Sequence, residues 1–147
     1  MSRGTPILTH RKACADDLNL LVEWNEQLIQ DENHRNNMSR AELRDRMVNW
    51  IEHEYRATIF EHDGEPVAYS LHREEETQIY LRQFYVDRQQ RRKGIGRAAM
   101  KILFAEIWPE DRTLAVEVLA HNAAAYSFWS AVGYQPWSIR MERPPGA

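Results

Sequence analysis

The chain has 147 residues, of which 43% are apolar and one is a cysteine, and its formal net charge is −3. This length predicts a single domain over residues 1–147, and the apolar share fits a packed core rather than a tail or linker. Cys14 has no second cysteine to pair with, and no apolar run reaches the length of a membrane span or a signal-peptide core, so the expected home is the reducing cytoplasm.

Residues 6–13 predict a short first strand. Ala15-Asp16-Asp17 then opens a helix in which Leu18, Leu21, Val22, Leu28 and Ile29 recur at helical spacing. After a polar stretch over 30–37, Ser39 with Glu42 reads as a capping box for a second helix, whose apolar stripe is Leu43, Met47, Trp50 and Ile51. Residues 56–61 and 66–72, joined at Asp63-Gly64, predict a hairpin, and three glutamates separate it from a strand at 79–86. Ile95, Ala98, Ala99, Ile102 and Leu103 mark a helix ending near Trp108-Pro109. A strand at 113–119, a helix at 122–132 and a last strand at 135–141 complete the chain. The predicted fold class is α/β with a mixed sheet, in the order βααβββαβαβ with helices on its faces.

Strict alternation fails in the strand at 79–86. Ile79 and Leu81 share a face, yet two further steps reach Gln83. One extra residue at Arg82-Gln83 returns Phe84 and Val86 to the face of Ile79 and Leu81, which predicts a β-bulge and a strand bent away from its neighbour. The alternative is an unbulged strand with Gln83 in a polar pocket.

Beyond that strand lies Arg91-Arg-Lys-Gly94-Ile-Gly96-Arg97, leading into a helix. Glycines let a backbone approach an anion closely, and the first turn of a helix offers unpaired N–H groups and a partial positive charge, so this turn predicts a cradle for a pyrophosphate. Residues 87–97 hold five basic residues against one acidic while the whole chain is acidic, so anion attraction is local and argues against a general nucleic-acid or membrane-surface binder. Gly94 to Ala99 also fits the dinucleotide pattern G-x-G-x-x-A, with Glu117 near the place of a ribose-binding acid. Against that reading, seven mostly basic residues separate the strand from the glycines, and too little chain remains for a doubly wound domain. The six histidines show no ligand-like spacing with one another or with Cys14, so no metal is expected.

Two spaced motifs resemble the GNAT N-acetyltransferase superfamily. Its acyl-CoA motif is met by Arg91 to Gly96, and its later motif by Asn122, Ala125, Gly133 and Tyr134. The resemblance implies acetyl-CoA as cosubstrate and a bulged, splayed central strand whose freed amides near Tyr85 and Val86 take the pantetheine arm. It places the pyrophosphate on the turn formed by Arg91, Arg92, Lys93, Gly94, Ile95, Gly96 and Arg97, and brings Asn122 to the pantetheine. The position seven after Asn122, commonly a tyrosine that protonates the thiolate in this family, is Trp129, also expected at the cofactor. An indole N–H cannot serve as that acid, and plain core packing is the other account of Trp129.

Glu117, on the strand at 113–119 and five residues before Asn122, resembles the glutamate base of some ribosomal-protein N-terminal acetyltransferases in the superfamily. Among apolar neighbours its pKa would rise, and the opposing account is a solvated or salt-bridged surface glutamate. The acceptor groove implied is lined by residues 24–37 with Tyr80, Arg82 and Gln83. Glu26, Asp31 and Glu32 favour a cationic amine such as a polyamine, an aminoglycoside or a peptide N-terminus, unless these acids are solvated helix surface. Arg82 favours an acceptor that also bears a carboxylate or phosphate. The expected activity is acetyl transfer to a primary amine of a small molecule or peptide by direct attack, with no nucleic-acid or membrane partner and a homodimer allowed. A non-catalytic CoA-binding or regulatory module of the same fold is the alternative.

Overall fold

The computed structural model describes residues 4–147. Five strands form one sheet in sequential order: β1 (Thr9–Lys12), β2 (Tyr55–His62), β3 (Glu65–Glu74), β4 (Gln78–Val86) and β5 (Thr113–Val116). The first three pairings are antiparallel and β4–β5 is parallel. The β2–β3 turn has positive φ at both Asp63 (50°) and Gly64 (81°), the geometry of a type I′ hairpin.

Helices α1 (Leu18–Asp31) and α2 (Arg40–Glu52) cover one face of the sheet. The expected capping box starts α2: Glu42 N–H donates to Ser39 Oγ at 3.2 Å and Ser39 N–H to Glu42 Oε1 at 2.9 Å. Leu21, Val22, Leu43 and Met47 pack there against Ile59, Tyr69 and Leu71. On the other face, helix α3 (Ile95–Ile102), extended by a π-helical turn at Leu103–Ile107, packs Ile95, Ala99, Met100 and Leu103 against Phe60, Ile79 and Leu81. Helix α4 (Ala123–Ala131) lies on the same side, contributing Phe128 and Trp129.

The period slip in β4 is a bulge. Leu71 pairs with Gln83 and the next residue, His72, with Leu81, leaving Arg82 as the extra residue. Ile79, Leu81, Phe84 and Val86 consequently share the α3 face, while Tyr80 and Tyr85 pack toward α1 and α2. Gln83 is buried and accepts a 2.7 Å hydrogen bond from the Tyr69 hydroxyl, so a bulge and a polar niche occur together.

Two expectations need correction. Strand β5 ends at Val116, short of residue 119, and residues 135–141 form no strand. Trp137, Ile139 and Met141 do alternate, but they are 97%, 85% and 89% exposed. A period of two records which side chains can share a face; it does not bring the segment into hydrogen-bonded register with a strand, and the outer edge of β5 stays unpaired among the described residues.

Candidate functional site

Strand β4 pairs with β5 only from Gln78–Thr113 to Leu81–Val116, so its last five residues run on without a neighbour on that side. The bulge at Arg82 coincides with this parting. Backbone groups that a continuous ladder would have paired are thereby available beside the mouth of α3.

At that mouth Arg92 (φ 64°) and Gly94 (φ 79°) both adopt left-handed conformations, which fold the turn tightly and bring successive N–H groups toward one concavity. Gly96 is needed for space: a Cβ there would stand 3.1 Å from Phe128 Cε1. Between the turn and α4 lies a cavity of about 230 Å³ lined by Val86, Gln90, Arg91, Arg92, Gly94, Ile95, Gly96, Arg97 and Phe128. A concave, N–H-rich turn with no side chain at its two closest points is a fitting seat for a diphosphate.

The basic side chains divide the work. Arg88 and Arg91 converge on Asp31, at 2.8 and 2.6 Å, and Arg91 also donates to the Val86 carbonyl at 3.1 Å and lies over the Tyr85 ring. Burial alone would raise the Asp31 pKa, but these hydrogen bonds outweigh it and hold the carboxyl below its ordinary range. Lys93 turns to Gln90, with Nζ 3.4 Å from Oε1. Arg92 and Arg97 have no carboxylate partner among the described residues and supply the positive potential at the cavity.

Asn122 caps α4, its Oδ1 accepting from Ala125 N–H at 3.1 Å, which leaves its amide group to donate elsewhere. Trp129 is half-buried against Phe84, Phe128 and Tyr134. Of the two nearby phenols, Tyr126 is exposed, and the Tyr134 hydroxyl is buried without a partner among the described residues, its pKa raised by burial.

Glu117 lies just past β5 and is exposed rather than enclosed by apolar neighbours. It stands close to Tyr80, whose pKa is raised first by burial and then by the Glu117 charge. Glu26 is paired with Arg40 at 3.3 Å. Glu32 is half-buried, its pKa raised by burial and by Asp31, and its backbone carbonyl bonds His121 Nε2 at 2.7 Å, joining the end of α1 to the β5–α4 loop.

Two side chains of this region escape sequence reasoning. Phe128 reads as a core residue, and only its contact with Gly96 shows that it walls the cavity. Arg46 of α2 lies with Arg82 against the Trp50 ring, at 4.3 and 4.6 Å. The i, i+4 spacing of Arg46 and Trp50 was the available signal.

The chain belongs to the Acetyltransferase (GNAT) family, whose model matches residues 19–134. No curated protein matches the sequence. Among solved structures, the ribosomal-protein-S18-alanine N-acetyltransferase from Escherichia coli superposes with a TM-score of 0.70 at 23% identity, over 91% of this chain and 81% of that one. An aminoglycoside N-acetyltransferase in complex with CoA gives 0.71 at 11% identity over 100% of both chains. A predicted acetyltransferase from Clostridium acetobutylicum, solved with acetyl-CoA, gives 0.70 at 17% identity over 94% and 96%. At these identities the likeness is one of fold. Among the described residues no helix is long and apolar enough to cross a membrane.

Proposed function

We propose that this protein transfers acetyl from acetyl-CoA to a primary amine by direct attack. The observation that carries the reading is the parting of β4 from β5 at Leu81–Val116, immediately before the glycine turn and its cavity. Backbone N–H groups of Arg92, Gly94, Gly96 and Arg97 would hold the diphosphate, and the unpaired end of β4 at Tyr85 and Val86, with the Asn122 amide, would hold the pantetheine arm. Lys93 and Ile95 shape the turn, and Trp129 backs the cavity wall through Phe128. Two relatives of the same fold, solved with acetyl-CoA and with CoA, support this assignment.

Bound acetyl-CoA supplies an acetyl thioester whose departing thiol has an ordinary pKa of ~8.5. The chain has to orient an amine and remove its proton. Glu117, exposed at the end of β5 beside Tyr80, accepts that proton, directly or through water, as the amine attacks; correct placement of such a base is worth roughly 10²–10⁴ in rate. Since Trp129 cannot donate a proton, water or the product ammonium protonates the thiolate, and Glu117 returns the proton it accepted to solvent. The acceptor enters between α1, α2 and the bulged part of β4, past Tyr80, Arg82 and Gln83, with Glu26 and Asp31 on the adjoining surface of α1.

Trp129 also favours a second reading, a CoA-binding module without catalysis. Calorimetry with acetyl-CoA, followed by an amine panel scored by free-thiol release, separates the outcomes. Binding with amine-dependent release supports the transferase; binding without release from any amine supports the module; no binding removes both.

A further inference from the structure

Where α2 passes β4, the guanidinium groups of Arg46 and Arg82 both lie on the Trp50 ring, at 4.3 and 4.6 Å from its centroid. Among the described residues neither has a carboxylate partner, whereas Arg11, Arg73 and Arg91 each do. Arg46 reaches only the Asn25 carbonyl oxygen, at 3.3 Å, and its Nε is buried with no acceptor at all. Arg82 reaches only the Tyr55 hydroxyl, at 3.4 Å. Two like charges held together, one half-buried, are costly to the fold by themselves. Burial and the nearness of Arg82 both lower the Arg46 pKa, the direction expected of a cation lacking its counter-ion.

Their position relates them to the reaction. Arg82 is the bulge residue itself, and Tyr80, two residues earlier, feels both the Arg82 and the Glu117 charge. A cationic group and an anionic group therefore border the same tyrosine. This polarity matches a molecule whose amine and carboxylate are a few bonds apart, with the amine at Glu117 and the carboxylate on the arginine fork.

We infer that the acceptor is a small amino acid, its carboxylate seated on Arg46 and Arg82. The inference rests on the transferase reading above and narrows its substrate. The test is a panel of free amino acids, their carboxamides, simple alkylamines, short peptides and O-phosphoethanolamine, assayed for thiol release and, separately, by thermal shift without acetyl-CoA. The expected result is turnover of at least one amino acid, with KM for its carboxamide raised roughly 10- to 100-fold, the loss of a charge-assisted pair. Arg82→Gln and Arg46→Met should each bring the acid-to-carboxamide preference close to parity, Arg46→Lys should keep part of it, and Arg46→Met should unfold no earlier than the parent.

A preference for alkylamines, peptides or O-phosphoethanolamine over amino acids overturns the inference, as does a carboxamide used as well as its acid, or an Arg46→Met protein that loses stability while keeping the preference. If no amine of any kind releases thiol, the transferase reading fails first. Thermal protection by an amino acid that Arg82→Gln abolishes then still supports the anion seat, and its absence removes the seat as well.

Discussion

Tyr80 stands between two opposite charges, Glu117 at the end of β5 and Arg82 in the bulge, and its own pKa is raised by burial and by the carboxylate. A phenol so placed keeps its proton at neutral pH and can orient a neighbouring carboxylate without competing for the amine proton. Glu117→Gln keeps the shape of that side chain and removes its basicity. The expected outcome is a kcat lower by roughly 10²–10⁴, with acetyl-CoA affinity within twofold of the parent because the cradle lies on other elements. Steady-state kinetics beside calorimetry check it; an unchanged kcat moves the proton acceptor to another group, with half-buried Glu32 next in line.

At the scale of elements, the turn into α3 uses its two glycines for different reasons, and the difference can be measured. Gly94 has φ 79°, so an alanine there is strained by about 1 kcal/mol whatever the space around it. Gly96 lies inside the first turn of α3, where alanine gains up to ~1 kcal/mol of helix propensity. Its new methyl would meet Phe128, which lines the cavity, at 3.1 Å, so the ring has to shift beside the proposed diphosphate seat. Gly94→Ala should therefore lower Tm, whereas Gly96→Ala should leave Tm nearly unchanged and weaken acetyl-CoA binding at least tenfold. Thermal melts and calorimetry on both variants check the pair, and equal losses in Tm would refute the division. These glycines, the bulge and the α2 capping box were legible in sequence because each is a local demand on a few adjacent residues. Arg46 and Arg82 were not legible as a pair, since they meet only through the packing of α2 on β4. The tail at 135–141 misled for the same reason: alternation is local, and pairing is not.

Across the whole molecule the two faces of the sheet are unequally tolerant of charge. The α3 face buries Thr58, Ser70 and His72 almost completely, and their Oγ1, Oγ and Nδ1 atoms have no partner among the described residues. His72 packs edge-on to Trp108, and burial lowers its pKa from 6.5 to about 4. Below pH 6.5 the unfolded chain binds a proton at this histidine that the folded chain refuses until about pH 4. Stability from His72 is thus fully present above pH 6.5 and is lost as pH falls toward 4, by about 3 kcal/mol in all. The Arg11–Asp17 pair, in which Asp17 is buried and Arg11 partly exposed, acts lower down: hydrogen bonding to Arg11 holds Asp17 at about 2, so its contribution is lost only between 3.8 and about 2. The two windows barely touch, which allows the histidine to be isolated. Urea unfolding at pH 4.5 and 7 should show a clear stability gap in the parent and a smaller one in His72→Phe. If that variant fails to fold, NMR of the parent's histidines gives the same answer. One ring should titrate near pH 4, and all six titrating above 5.5 would mean that water reaches this face of the sheet.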